Sequence, residues 1–174
     1  MSPFEKILNE NEVVCFINGS LNLEFDNLNG IVVDLSTNEK LLNAFLAEYG
    51  NIQQYPIIFY KGKRINSYLT MNEEIKAIKY NTYAVFLDEF KLKAKYAFII
   101  KGTIEKPYCK YTKQLLNICN ELSIKDIVGF DIFTDDEARE VFKEINEWPS
   151  YPMIYVDGRF IGGLDKFKEF LNYN

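Results

Sequence analysis

The sequence contains no histidine. Its absence removes Ser/His and Cys/His nucleophile pairs, imidazole general bases and mixed Cys/His zinc sites. Any chemistry must therefore come from thiols, carboxylates, amines or backbone. Cysteine is scarce as well. Three in 174 residues is an odd number, and without a secretory leader it argues against a disulfide framework and for reduced thiols. No apolar run is long enough to span a bilayer, and MSPFEKILNE lacks the basic start and continuous apolar centre of a signal peptide. These absences lead us to expect a chain inside the cell, with no membrane partner. Positive charge is in deficit, 20 Lys+Arg against 25 Asp+Glu for a net charge of -5, which repels phosphate backbones and sets nucleic acid aside as a partner. Apolar residues are abundant. At 48% hydrophobic and 16% aromatic the chain can bury a sizeable core, as one domain or two small ones.

Part of the sequence repeats. YPIIFYKGKRI at 55–65 aligns with YPMIYVDGRFI at 151–161 at one constant offset, Pro56 with Pro152, Ile58 with Ile154, Gly62 with Gly158 and Ile65 with Ile161. Each reads as a strand, a tight glycine turn and a second strand, followed by a helix. Upstream, CFINGS at 15–20 corresponds to AFIIKGT at 97–103 as a strand ending at Gly19 or Gly102. GIVVDLS at 30–36 corresponds to GFDIFTD at 129–135, each followed by a helix with a polar cap. SPFE at 2–5, TMNE at 70–73 and TDDE at 134–137 have capping-box spacing. Strand, helix, strand, helix, hairpin, helix is a mixed α/β unit, and two copies make two domains. The boundary is expected within 79–95, whose front half looks helical and whose lysine-rich end looks like a linker.

The copies differ in one place. Gly102 to Asp131 leaves room for a loop, Cys109 and a helix through about Leu122, whereas Gly19 to Asp34 is roughly half that distance and too short for such a helix with its connections. SLNLEFDNLN at 20–29 has no cysteine, and Cys15 lies inside a strand pattern. Thiol chemistry is therefore expected only in the C-terminal copy.

Within that copy, EKPYCKYTKQLL at 105–116 sets Cys109 ahead of an apolar helical spacing at Leu115, Leu116, Ile118, Cys119 and Leu122, with Lys101, Lys106, Lys110 and Lys113 nearby. A cysteine is a nucleophile or metal ligand only as thiolate, and a helix N-terminus with nearby cations favours that form. Read alone, the motif also suits an inert capped cysteine beside a solvated lysine run. Thr112 stands where a second thiol would be, which rules out a local Cys-x-x-Cys disulfide. Cys119 lies about 15 Å along the helix, beyond disulfide reach. Cys119 and Cys15 are expected to fill cores.

KGTIEKPYCKYT at 101–112, WPSYP at 148–152 and GGLD at 162–165, in this order and at these separations, resemble a monothiol glutaredoxin domain of the Cys-Gly-Phe-Ser class over about residues 95–174. The N-terminal copy resembles a degenerate thioredoxin-type domain, on its YP hairpin and its position. The whole chain is thus similar to the thioredoxin-glutaredoxin fusions of eukaryotes. The resemblance implies an α/β fold with two thioredoxin-fold domains, each a mixed sheet of about four strands flanked by helices. Residues 1–84 would form the thioredoxin-like domain, lacking the active-site cysteine and the first active-site helix. Residues 85–95 would be the linker and 96–174 the monothiol glutaredoxin domain.

For function, the resemblance implies glutathione-dependent [2Fe-2S] cluster binding and transfer in iron homeostasis, with Cys109 the metal ligand and glutathione supplying the second thiol across a homodimer. The alternatives are a monothiol glutathione-disulfide oxidoreductase, at most a weak one, with Cys109 as nucleophile, and a non-catalytic interaction adaptor. By matching positions, Lys101 and Arg139 would take the glycyl carboxylate of glutathione, and Pro152 would expose the backbone of Tyr151 to the tripeptide. Gly163 and Leu164 would meet the γ-glutamyl carboxylate, and Asp165 its ammonium. Tyr111 takes the place of the family's phenylalanine, and Thr112 that of its serine. Lys110 replaces a glycine, and either tilts outward to help hold the anionic cluster or crowds the dimer. BolA-like proteins and iron-sulfur apoproteins are the implied partners, in the cytoplasm with the nucleus as a second compartment.

Overall fold

The computed structural model describes residues 2–19, 30–50, 52 and 54–173. The chain divides into two compact units, Met1–Ala77 and Ile78–Asn174. The segment 20–29, read above as having lost a helix, lies outside the described residues.

In the first unit, helix α1 (Pro3–Glu10) is opened by a complete capping box. The Ser2 hydroxyl accepts from Phe4 N–H at 3.1 Å, and the Glu5 carboxylate accepts from Ser2 N–H at 3.0 Å. Strands β1 (Val13–Ile17) and β2 (Gly30–Asp34) follow, then helix α2 (Glu39–Tyr49) and the hairpin of β3 (Ile57–Tyr60) and β4 (Lys63–Ile65). Helix α3 (Met71–Phe90) begins in this unit and ends in the second. The sheet order is β2-β1-β3-β4, with β1 parallel to β2 and antiparallel to β3. Its core is aromatic, with Phe4, Phe16 and Phe45 fully buried and in mutual ring contact.

The second unit contains the end of α3, then β5 (Tyr96–Ile100), α4 (Lys110–Glu121), β6 (Ile127–Asp131), α5 (Asp136–Ile145), β7 (Met153–Val156), β8 (Arg159–Gly162) and α6 (Leu164–Leu171). The sheet order is β6-β5-β7-β8, with the same strand senses as the first sheet. Side chains alternate across a pleated strand, so β5 serves two cores. Ala97 and Ile99 join Leu87, Phe90 and Phe142 on one face, while Phe98 and Ile100 join Leu115, Ile118 and Phe167 on the other. Helices α4 and α6 are thereby fixed on the same face.

The internal repeat is visible at three points. Both hairpins turn through two residues of positive φ, Lys61-Gly62 at 45° and 76° and Asp157-Gly158 at 48° and 74°, the geometry that matches strand twist. The Tyr55–Pro56 and Tyr151–Pro152 bonds are both cis. The loop after each central strand is tied down by an aspartate, Asp34 accepting from Gly19 N–H at 3.2 Å and Asp131 from Gly102 N–H at 2.9 Å.

Two details differ from the sequence reading. The cap of α5 is Asp135, which accepts from Ala138 N–H at 2.9 Å. Thr134 instead closes the preceding 3-10 turn by donating to the Asp131 carbonyl at 2.7 Å. The segment 85–95 is not linker throughout. Residues 85–90 complete α3, with Leu87 and Phe90 in the second unit's core and Tyr83 donating to Asp135 at 2.9 Å. The lysines of that stretch hid its apolar spacing.

We therefore expect the second unit to require the end of α3. A fragment starting at Ile78 should unfold cooperatively by circular dichroism. One starting at Tyr96 should lose at least about 3 kcal/mol, the burial contribution of two large apolar side chains.

Candidate functional site

The site is built from the loop that joins β5 to α4. Gly102, with φ of 88°, lets the chain double back, and Tyr108 N–H then donates to the Lys101 carbonyl at 2.9 Å. Only glycine fits here, because a β-carbon would lie 2.5 Å from the Lys106 carbonyl oxygen and 2.7 Å from the Tyr108 nitrogen. The doubled-back loop delivers Cys109 to the N-cap of α4. A sulfur takes the place usually held by a capping oxygen. It accepts from Thr112 N–H at 3.4 Å and lies 3.2 Å from the Thr112 hydroxyl oxygen. That oxygen accepts from Lys101 N–H at 3.4 Å, so its own proton is free to be donated to the sulfur. Thr112 is fully buried.

Burial pushes the Cys109 thiol up. Hydrogen bonds from the Thr112 hydroxyl and from the Thr112 and Tyr111 N–H groups, with the charge of Lys101, more than offset it and hold the thiol below its ordinary value. Burial pushes Cys119 up to about 11, against a backbone hydrogen bond that lowers it, and Cys15 up to about 12, and both are core residues. Cys109 is thus the thiol that ionises most readily.

Cys109 opens into a groove of two adjoining cavities that share Tyr111, Ser150 and Tyr151. The one at the thiol, about 450 Å³, is lined by Lys101, Cys109, Lys110, Tyr111 and Arg139, with Lys143 and Pro149. The other, about 460 Å³, is lined by Tyr111, Trp148, Tyr151, Pro152, Gly163, Leu164 and Asp165, with Lys166. All nine residues singled out in the sequence line this groove.

The groove has two polar ends. At the first, Lys101 and Arg139 have no ion-pair partner among the described residues, and Arg139 Nε is buried without a hydrogen bond. Lys143 is paired with Glu140 at 2.9 Å. At the second, Gly163 is the N-cap of α6 and no side chain caps that helix, which leaves its first-turn N–H groups without a side-chain acceptor. Asp165, in that first turn, is exposed. Between the ends, the Tyr151 side chain turns inward and its hydroxyl donates to the Arg139 carbonyl at 2.7 Å. The Trp148 ring closes the wall against Gly163, where a β-carbon would be 3.3 Å from it. Lys110 is exposed and lies along the Tyr111 ring, its Nζ 4.9 Å from the ring centre.

Sequence reasoning missed Thr112 as a partner of the thiol, treating it as the residue that replaces a second cysteine and stands for the family's serine. A signal was available, since the third residue after a cap is the one that bonds it. Ser150, Lys143 and Lys166 were also missed. Ser150 and Lys166 lie within or beside the quoted motifs, whereas Lys143 is brought in by α5.

Residues 103–161 match the sequence profile of the Glutaredoxin family. The chain is similar to Glutaredoxin-3 of Bos taurus, 46% identical over 70 residues, which is 40% of this chain and 21% of that protein. It is also similar to Monothiol glutaredoxin-4 of Saccharomyces cerevisiae, 39% identical over 40% of this chain and 28% of that protein. The match thus spans only about a fifth to just over a quarter of these relatives. Among solved structures, reduced poplar apo GrxS14 is 28% identical with a TM-score of 0.45, covering 51% of this chain and 81% of that one. The likeness to glutaredoxins thus falls within the second unit, where Cys109 is the cysteine at a helix start, and the first unit has the same sheet order.

The hydrogen bonds at the sulfur make alkylation the direct test. Iodoacetamide should modify Cys109 in the native chain with a pH midpoint below that of an unperturbed cysteine, leaving Cys15 and Cys119 unmodified until the chain unfolds. Thr112→Val should move the midpoint upward while keeping the fold.

Proposed function

We propose that the glutaredoxin domain binds glutathione in this groove. With the glutathione thiol, Cys109 then holds a [2Fe-2S] cluster as cargo between two copies of the chain, for delivery to iron-sulfur apoproteins. The observation that carries the reading is one thiolate-stabilised cysteine beside a groove with unpaired cations at one end and an uncapped helix start at the other. Glutathione presents two carboxylates and an ammonium, which fit those ends. Lys101 and Arg139 take the glycyl carboxylate as charge-assisted hydrogen-bond donors. The backbone at Tyr151, before Pro152, pairs with the peptide as an added strand would. The N–H groups at Gly163 and Leu164 receive the γ-glutamyl carboxylate, and Asp165 its ammonium. Tyr111 forms the wall between the two ends.

The donor chemistry fits the cargo. A [2Fe-2S] core takes four thiolates. Each chain offers Cys109 and one bound glutathione, so two chains complete the set. The protein's own part is to keep the Cys109 sulfur ionised, through Thr112, and to orient the glutathione sulfur beside it. BolA-like proteins are proposed partners of the loaded dimer, in the cytoplasm and nucleus.

A second reading is supported by the same hydrogen-bonded thiol, held below its ordinary value. Cys109 would attack the glutathione sulfur of a mixed disulfide, and the client sulfur would leave as thiolate. A second glutathione thiolate would then attack, releasing Cys109 thiolate and glutathione disulfide. No second protein thiol is needed.

Anaerobic reconstitution with iron, sulfide and glutathione separates the readings. Cluster carriage predicts about one iron per chain, a dimer by mass, and loss of both in Cys109→Ser. Turnover of a glutathione mixed disulfide by a cluster-free monomer supports the second reading, and neither result leaves the adaptor role.

A further inference from the structure

The groove leaves part of the surface around Cys109 unexplained. Tyr108 is 77% exposed, Tyr111 49% and Phe133 43%. Tyr108 and Phe133 meet edge to face at 5.5 Å, and the Arg139 guanidinium carbon lies 5.9 Å from the Phe133 ring centre. With Lys110 along Tyr111, aromatic rings and cations interleave around the thiol. Lys110, like Lys101 and Arg139, has no ion-pair partner among the described residues, although the chain carries a net charge of -5. Among the described residues, the cavity at the thiol is lined by four cations, Lys101, Lys110, Arg139 and Lys143, and by no carboxylate. Asp131 accepts from the Gly102 and Phe133 N–H groups, and Glu140 pairs with Lys143. The patch is therefore locally positive on an acidic protein, and an exposed apolar cluster of this kind marks an interaction surface.

We infer that this face docks an acidic segment of a client polypeptide, with an apolar side chain seated on Tyr108 and Phe133 and a carboxylate beside Lys110, so that the client's thiol is presented to Cys109. The inference rests on the proposed function and adds the class of client. A bare second copy is a poorer occupant, because an isologous contact would set Lys110 and Arg139 against like charges. That meeting becomes favourable only with anionic cargo between the copies.

The test uses the full chain, reduced and free of cluster, with two fluorescein-labelled peptides of equal length. One carries aspartates and glutamates around a single Leu-Tyr pair, and the other has lysines in place of the acids. In about 0.1 M salt, where screening acts over about 10 Å, fluorescence anisotropy should show the acidic peptide bound at least roughly tenfold tighter, with the gap narrowing as salt rises. Lys110→Glu should weaken the acidic peptide about fivefold, as expected for reversal of one exposed charge. Lys125→Glu makes the same change in net charge at the other end of β6 and should leave binding unchanged. Tyr108→Ser should weaken the acidic peptide by removing the apolar seat. Equal binding of the two peptides overturns the proposal. So does an equal loss in Lys125→Glu, or a cluster-free dimer that Tyr108→Ser converts to monomer. Glutathione uptake by calorimetry on the same samples tests the groove independently. If it is absent while the acidic preference persists, the glutathione reading fails and the docking face stands.

Discussion

The hydroxyl of Thr112 sits between two backbone segments and one sulfur, and the chemistry of the molecule depends on that placement. It accepts from Lys101 N–H at the end of β5 and lies within hydrogen-bond distance of the Cys109 sulfur at the start of α4. One buried polar group thereby satisfies the strand end and stabilises the anionic form of the thiol. Being fully buried, Thr112 cannot exchange these bonds for water, so the arrangement is held whenever the unit is folded. Gly102 and Asp131 serve the same end by giving the loop the one path that brings the sulfur over the hydroxyl.

The two units show how far a scaffold can be separated from its chemistry. Both sheets have the same order and strand senses, matching hairpin turns, and an aspartate fixing the loop after the central strand. What differs is the thiol. In the first unit the described cysteine, Cys15, is fully buried inside β1, where burial disfavours the anion. In the second, Cys109 lies at a helix start beside Lys101. The same fold thus holds one sulfur away from its anion and another toward it, and the position of the residue within the fold decides which.

Much of this was legible in the sequence, for physical reasons that can be named. The hairpins were readable because a two-residue turn of positive φ demands glycine, and Gly62 and Gly158 supply it. Most of the groove was readable because its residues cluster in three short motifs, around Cys109, Pro152 and Gly163, whereas Arg139 on α5 lies outside them. The end of α3 was not readable, because Leu87 and Phe90 run into a lysine-rich tail that imitates a linker. Lys143 and the aromatic pair of Tyr108 and Phe133 were not readable either, since each depends on which elements the fold sets side by side. The capping shift from Thr134 to Asp135 reflects a local competition that spacing alone does not resolve. The threonine hydroxyl was taken by the carbonyl of the preceding turn.

The chain has a single tryptophan, and it lines the groove. Trp148 rests against Gly163 with its indole nitrogen buried and unbonded, so a molecule entering beside it alters the surroundings of the dominant near-ultraviolet emitter. The protein therefore carries a native optical reporter of its own occupancy. Filling and emptying of the cleft can be followed in real time without attaching a dye.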